Sequence, residues 1–377
     1  MRILWIETVG ACGGGQMSLC EACQALTGKG GVEVAAVIPA GDIAERMRTA
    51  GVPVFSGRPV RGRRGGANLF RTIKKLFSAG DPIRAAIKAF KPDIIHANSL
   101  TAFLATPYQK NIPMLCHVRD LRFPVMPMRM VSHRADGIIA ASPEIETALA
   151  ETLSSRTFSK IKIVTNGIDL KRFKPGDRVA ARKAAGVCET GPLIGMVAHF
   201  VPWKRHNLFL RAAAAIRQRL PEARFVIVGR DLLHEQRAWC DQLRGLATEL
   251  KLDDVLTWIT DMTHVETFYP ALDLLIHPTV HEPFGRVVCE AMASRVPVIA
   301  ASPGGPDSII TPDRDGILID DGDPEKTAQA AVGLLGDPDR MRRLVDAAEE
   351  TVRSRFAIQR VADELIAVYR RLEVEEG

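Results

Sequence analysis

Apolar residues fall along this chain in two alternating rhythms. Short runs are apolar almost throughout: "RILWIE", "VEVAAVIP", "VPVF", "PDIIHA", "PMLCHV" and "DGIIAAS". Between several of them lie longer stretches whose apolar residues recur at helical spacing, as in "GQMSLCEACQALTG", "DIAERMRTAG" and "PIRAAIKAF". A strand apolar on both sides must be covered on both sides, so these runs predict a parallel sheet between two helical layers. The rhythm then restarts. "LIGMVAHF", "ARFVIVG", "DVLTWI", "LDLLIHP" and "VPVIAA" read as strands, and "HNLFLRAAAAIRQRL" and "LLHEQRAWCDQLRGLATEL" as helices. The predicted class is α/β, with two Rossmann-like doubly wound domains over residues 1–170 and 171–355. The hinge is expected in "NGIDLKRFKPGD", 166–177. Ligands of open α/β sheets bind beyond the carboxyl ends of the strands, so a site in the cleft between two such domains is expected.

Composition narrows the picture. None of the 377 residues falls in an apolar run long enough to span a bilayer, and "MRILWIETVG" reads as a first strand rather than a leader. Seven cysteines, an odd number, fit reduced thiols and a cytoplasmic location. Cys20 and Cys23 form a C-x-x-C with no second pair beside it, so no metal or redox role is expected. Net charge is +6, and much of it sits in 57–77, which carries Arg58, Arg61, Arg63, Arg64, Arg71, Lys74 and Lys75. Phe70, Ile73 and Phe77 recur there at helical spacing. The second half therefore reads as a basic amphipathic helix, either an ordinary solvated surface or a contact with an anionic membrane or acidic acceptor.

Three loops after strands carry candidate chemistry. "GACGGGQ", Gly10 to Gln16, opens a helix whose first N–H groups, at Gly14 and Gly15, suit a phosphate. It is a poor dinucleotide fingerprint, because Ser18 holds the third glycine place and the second strand ends without an acid. "VAHFVPWKRH", 197–206, sets Lys204 at a helix entrance, where an ammonium and backbone N–H groups together could hold a diphosphate. In "HEPFGRVVCEAM", 281–292, Glu282 lies in a loop and Glu290 in an apolar helix, with the backbone amides of Gly285, Arg286 and Val287 between them. Burying such carboxylates is costly unless they are paired or take up a ligand. One reading is a buried ion pair or a cap. The other is a sugar nucleotide, with amides on the phosphates and the two acids on ribose and sugar hydroxyls.

The stretch "HEPFGRVVCEAMASRVPVIAASPGG", with seven residues between Glu282 and Glu290 and Gly304-Gly305 downstream, resembles the retaining GT-B glycosyltransferases of family 4. "PDIIHANS", "IKIVTNGIDLKRFKP" and "GGPDSIITPDRDGILI" follow the family order, and the resemblance covers nearly the whole chain. It implies a GT-B fold, an acceptor-side first domain, a nucleotide-sugar-binding second domain, and a last helix within 356–377 that crosses back to the first domain. Glu290 would bind the ribose, Glu282 the transferred sugar, Lys204 the diphosphate, and Gly14 and Gly15 the donor phosphates. Phe284, Gly285, Arg286 and Val287 would complete the donor loop. Where the family often has Gly-Arg, this chain has Ala198-His199, so His199 and Arg205 are further donor candidates. The family's catalytic histidine position falls on His117 or Arg119. Asp120 and His96, the latter read first as structural, are candidates on the acceptor side.

The resemblance implies a nucleoside-diphosphate sugar as donor and an unidentified acceptor, with no cofactor, no metal and no nucleic acid. The preferred mechanism is a front-face transfer in which the leaving phosphate takes the acceptor's proton. Three readings compete. A GT-B isomerase would form product without an acceptor, a binding protein with a decayed site would bind without turnover, and a nucleic-acid binder would use the basic segment.

Overall fold

The computed structural model describes residues 1–60, 69–231 and 235–375. Within 57–77, residues 61–68 therefore lie outside the described residues, Arg61, Arg63 and Arg64 among them. The chain divides into two compact units, Met1–Gly167 with Ile358–Gly377, and Ile168–Ala357.

The first unit is built on seven parallel strands: β1 (Arg2–Ile6), β2 (Glu33–Ile38), β3 (Val54–Ser56), β4 (Ile94–Ala97), β5 (Met114–Val118), β6 (Gly137–Ala140) and β7 (Ile161–Ile163). Their order is β3-β2-β1-β4-β5-β6-β7. The order reverses between β1 and β4, where the crossovers leave on opposite faces and open a crevice beyond the strand ends. Glu7 follows β1 and Asn98 follows β4, so both stand at that reversal. One apolar layer packs helices Leu69–Phe90, Leu100–Ala105, Val125–Arg134 and Pro143–Thr152 against the sheet. The opposite layer holds helices Gly14–Thr27 and Asp42–Thr49 together with the carboxy-terminal helix Ile358–Glu375, whose Val361, Leu365 and Tyr369 bury against Trp5 and Leu115.

The second unit has six parallel strands: β8 (Leu193–Val197), β9 (Arg224–Val228), β10 (Leu256–Ile259), β11 (Leu274–His277), β12 (Val298–Ser302) and β13 (Ile317–Asp320). Their order is β10-β9-β8-β11-β12-β13, with the reversal between β8 and β11. The loops after these two strands carry Lys204 and Glu282.

The apolar rhythm missed β7 and β13. Each is short, three or four residues, and β7 exposes Ile163 at the sheet edge, which leaves little pattern to read. The basic stretch and "PIRAAIKAF", read as separate helices, are one helix, Leu69–Phe90, running through Pro82. A proline there has no N–H for the carbonyl of Ser78 four residues back. Arg58 Nη1 donates to that carbonyl at 3.2 Å. One charge of the basic segment thus replaces a helix hydrogen bond.

Arg58 and Pro82 are therefore interdependent. Arg58→Ala should cost about 0.5–1.5 kcal/mol in the wild-type chain. It should cost close to nothing alongside Pro82→Ala, where the restored backbone N–H can serve Ser78. Urea unfolding of the two single variants and the double variant measures the coupling, and additive effects would refute it.

Candidate functional site

In the second unit the site begins with two loops at the strand reversal. After β8 the chain makes a short 3₁₀ turn, Pro202–Lys204, and enters helix His206–Arg219 through Arg205, which is left-handed at φ 57°. After β11 it runs through Glu282 into helix Arg286–Ala293, entered through Gly285 at φ 101°. Glu282 Oε2 accepts from Lys204 Nζ at 2.5 Å and lies 3.4 Å from His277 Nε2. Burial by itself would raise the Glu282 pKa, but the Lys204 ammonium and His277 outweigh it and hold the carboxyl at about 2. Lys204 also stands 4.2 Å from the ring centre of Trp203, which is 41% exposed.

Glu290 is one turn into the helix and is buried. Tyr269 Oη donates to its Oε2 at 2.7 Å, and Arg286 reaches its Oε1 through Nε at 3.2 Å and Nη2 at 3.0 Å. Each buried acid therefore has a protein cation and a second polar neighbour. Burial of the two acids is thus accounted for by ion pairs, the first of the two readings the sequence left open, without calling on sugar hydroxyls. The Lys204–Glu282 contact brings the two loops together, while Glu290 belongs to a separate pair within its own helix.

Gly304 and Gly305 serve the same loop. Gly305 N donates to Glu282 O at 2.7 Å, and His281 N to Pro303 O at 2.7 Å. A side chain at Gly305 would collide with the carbonyl oxygen of Phe284, and one at Gly304, φ 159°, would come 2.9 Å from Glu282 N. These glycines let one loop lie against the other. Asp307 closes its own turn, accepting from Ser302 Oγ at 2.6 Å and Gly304 N at 2.5 Å.

Other donor-side candidates sit less directly. Phe284 is 3% exposed and meets Phe356 edge to face, so its side chain belongs to the core. Val287 packs partly buried against the same core. Arg205 turns to Asp321, donating to its carbonyl and its Oδ1, both at 3.0 Å, rather than toward Glu282. His199 is mostly buried; burial first, then Lys204 and Arg230, lower its pKa to about 4, so it is a neutral imidazole and no substitute for an arginine.

The first unit contains a chain of buried polar groups. Glu7 Oε1 accepts from the backbone N–H of Thr8 at 2.7 Å and of Val9 at 2.9 Å. Its Oε2 accepts from Asn98 Nδ2 at 2.7 Å and Gln16 Nε2 at 3.3 Å. Asn98 Oδ1 accepts from Arg119 Nε at 2.8 Å, and Arg119 also donates to Asn166 Oδ1. Arg119 Nη2 lies 3.2 Å from His117 Nδ1, His96 Nε2 lies 3.1 Å from that same atom, and His96 Nδ1 lies 2.7 Å from Tyr369 Oη. Arginine can only donate, which fixes every other role. His117 Nδ1 accepts, so His117 carries its proton on Nε2. His96 Nε2 then donates, His96 Nδ1 accepts, and Tyr369 supplies the hydroxyl proton. Burial first, then Arg119, hold both imidazoles well below their usual pKa, which keeps them neutral as this assignment requires.

Arg119, rather than His117, lies beside the glycine loop: a side chain at Gly15 would come 3.3 Å from Arg119 Cδ. Gly14 and Gly15 open helix Gly14–Thr27, and the Gly15 carbonyl lies 3.4 Å from Asn98 Nδ2. His117, read as a catalytic candidate, is 2% exposed beneath Arg119. His96, read as an acceptor contact, is fully buried, stacked on Trp5 at 3.6 Å, and cannot meet an acceptor directly. Asp120 is exposed at the end of β5. Sequence reading missed Glu7, Asn98, Asn166, Tyr269 and Tyr369. A signal existed for the first two, because each is the polar residue that ends an apolar strand at a sheet reversal.

His96 and His117, together with His199 and His206, which burial holds at about 4, set a pH dependence. Their folded pKa values are depressed, so below the unfolded value near 6.5 the unfolded chain binds more protons. Stability is full above that pH and falls as pH drops, by up to about 1.4 kcal/mol per pH unit for each histidine. Glu282 adds a further loss only below about pH 4.5. The urea midpoint should therefore fall steadily from pH 7 to pH 5, and a flat midpoint over that range would contradict four neutral buried imidazoles.

Comparison with known proteins places this geometry. Residues 12–172 match the family Glycosyltransferase Family 4, and residues 177–351 match Glycosyl transferases group 1. The D-inositol 3-phosphate glycosyltransferase of Nocardia farcinica is 34% identical over 221 residues, covering 57% of this chain and 48% of that protein. D-inositol 3-phosphate glycosyltransferase 2 of Catenulispora acidiphila is 33% identical over 244 residues, 63% of this chain and 56% of that one. The matched region thus spans about half the length of these relatives. Anabaena Alr3699/HepE, solved in complex with UDP-glucose, superimposes with a TM-score of 0.82 at 22% identity, over 97% of this chain and all of that one. Sucrose-phosphate synthase from Thermosynechococcus elongatus gives 0.83 at 22% identity over the whole of both chains. These two likenesses establish the fold. With both units matched and the sheets ordered as they are, the chain belongs to the family 4 glycosyltransferases and has the GT-B fold.

Proposed function

We propose that this protein transfers a sugar from a nucleoside-diphosphate sugar to an acceptor hydroxyl with retention of anomeric configuration. The observation that carries the proposal is the buried Lys204–Glu282 pair at the reversal between β8 and β11, one loop away from the Gly285–Val287 helix start. That arrangement offers a cation, a carboxylate and first-turn backbone N–H groups together, which suits a diphosphate attached to a polyhydroxyl ring. Lys204 would move from Glu282 toward the donor diphosphate, releasing Glu282 to accept sugar hydroxyls. Glu290, already fixed by Arg286 and Tyr269, would take the ribose.

In the reaction the bond from the anomeric carbon to the diphosphate oxygen breaks and a bond to the acceptor oxygen forms on the same face. The acceptor's proton passes to the departing diphosphate. Negative charge grows on that diphosphate in the transition state, where Lys204 and the backbone N–H groups stabilise it. We assign this neutralisation to Lys204 rather than to a metal ion, so turnover should survive a chelator.

For the acceptor, Arg119 favours a phosphorylated or otherwise acidic molecule. The relatives named for D-inositol 3-phosphate agree with that class. A lipid-linked saccharide or polysaccharide precursor at the cytoplasmic membrane face belongs to the same class, with the basic segment 57–77 on the anionic side.

Calorimetric titration with UDP, GDP and ADP tests the donor half of the proposal. One nucleotide should bind at micromolar concentration, and Glu290→Gln and Lys204→Ala should each weaken it at least about tenfold. Tyr269→Phe, which removes a hydroxyl from Glu290 but leaves the carboxylate, should change it little. If none of the three nucleotides binds the wild-type chain, the buried acids are structural and the proposal fails.

A further inference from the structure

Eight large apolar side chains stand exposed among the described residues; three share one helix of the first unit, and a fourth lies against that helix's last residue. Val125, Met126 and Met130, at 49, 66 and 55% exposure, are on helix Val125–Arg134. Tyr108, at 63%, lies under Arg134, whose guanidinium carbon is 5.9 Å from the ring centre. Met126, Met130 and Arg134 follow one another at four-residue spacing, so they share one face of the helix. Met128 and Val131 occupy the opposite, buried face. The helix is therefore apolar on both sides, which folding of this unit alone does not require.

Along the segment that builds this face bases outnumber acids, although Arg129 Nε donates to the Thr152 carbonyl at 3.5 Å, next to the exposed Glu151. From Tyr108 to Arg134 the chain carries Lys110, Arg119, Arg122, Arg129 and Arg134 against a single acid, Asp120. Lys110, Arg122 and Arg129 are exposed. Helix Leu69–Phe90, with Lys74 and Lys75 exposed, packs beside helix Leu100–Ala105, which packs beside Val125–Arg134, all on the same side of the sheet. Exposed methionines and a valine on a helix whose own segment carries an excess of lysine and arginine suit a bilayer surface with anionic headgroups better than a protein partner.

We propose that the exposed face of helix Val125–Arg134, with Tyr108, docks on an anionic lipid surface. Met126 and Met130 enter the acyl boundary, and Lys110, Arg122, Arg129 and Lys74–Lys75 meet the headgroups. The helix starts just after Arg119, at the carboxyl end of β5. Docking therefore presents the proposed acceptor side of this unit to molecules held in the membrane. The inference extends the proposed function to the place where its acceptor is met, yet its test requires no assay of transfer.

The test is flotation of the full chain with vesicles of equal parts phosphatidylglycerol and phosphatidylcholine, and with phosphatidylcholine alone. Binding is expected only to the first, weakening as salt rises. The double variant Met126→Ser, Met130→Ser should lose at least about tenfold in partitioning while keeping the wild-type urea midpoint. Both sites are exposed, so folding should be unaffected. Absence of wild-type binding, or undiminished binding by the double variant, would overturn the proposal. So would an ultracentrifugation result in which the wild type is a dimer and the double variant a monomer, because the face would then be covered by a second copy.

Discussion

Glu282 can stay ionised inside the second unit because Lys204 meets it, and the two can meet only because the strand order reverses between β8 and β11. At any other neighbouring pair of strands, the connections would leave on the same face and close over the sheet end. At the reversal they diverge, and the two loops face each other across the gap. An isolated carboxylate at this depth would take up a proton instead, whereas the ammonium at 2.5 Å and the imidazole at 3.4 Å hold it at about 2. Taking one partner away would leave the other buried and uncompensated. On the proposed function, the same dependence links two events: an anion that draws Lys204 away must also leave Glu282 with hydroxyl donors.

The first unit solves a similar problem by a different route. At its own reversal, between β1 and β4, Glu7 accepts hydrogen bonds from backbone N–H groups and from Asn98, and Arg119 is reached through the other end of that asparagine. Arg119 donates in three directions, to Asn98, Asn166 and His117. That fixes the guanidinium plane before any ligand arrives, so the ordering of a long side chain is settled on folding rather than on binding. Tyr369 anchors the far end of the series from the carboxy-terminal helix, which returns to this unit only after the whole second unit has been threaded. The geometry of Arg119 thus depends on residues at both ends of the chain.

This division explains what could be read from the sequence. Both doubly wound sheets were legible because fully apolar strands leave a pattern that period-2 alternation or helical spacing would break. Lys204 and Glu282 stood out as charges in loops after such strands, and Glu290 as a charge within an apolar helix. The partners of those charges did not. Tyr269 and Tyr369 are aromatic residues in apolar surroundings, and nothing local distinguishes a tyrosine that donates to a buried carboxylate or imidazole from one that merely packs. Phe284 shows the opposite limit, because a position beside a motif does not say which way a side chain points, while His96 keeps the structural reading it was given first. Gly304 and Gly305 were noticed as part of the motif, and the structure adds a packing reason for them: each is small so that a neighbouring backbone can pass.

Net charge was the least specific signal, and the structure shows why. A count of lysines and arginines cannot separate those used internally from those left for a partner. Arg58 replaces the hydrogen bond that Pro82 denies to Ser78, Arg286 serves Glu290, and Arg205 serves Asp321. What remains exposed in the first unit includes a smaller set, Lys74, Lys75, Lys110, Arg122 and Arg129, and its distribution carries more meaning than its total. These residues gather on the helical layer that also exposes Val125, Met126 and Met130. Charge alone would suit any polyanion, and exposed apolar side chains alone would suit any hydrophobic partner. An interface that is anionic outside and hydrocarbon within, as proposed, would satisfy both at once.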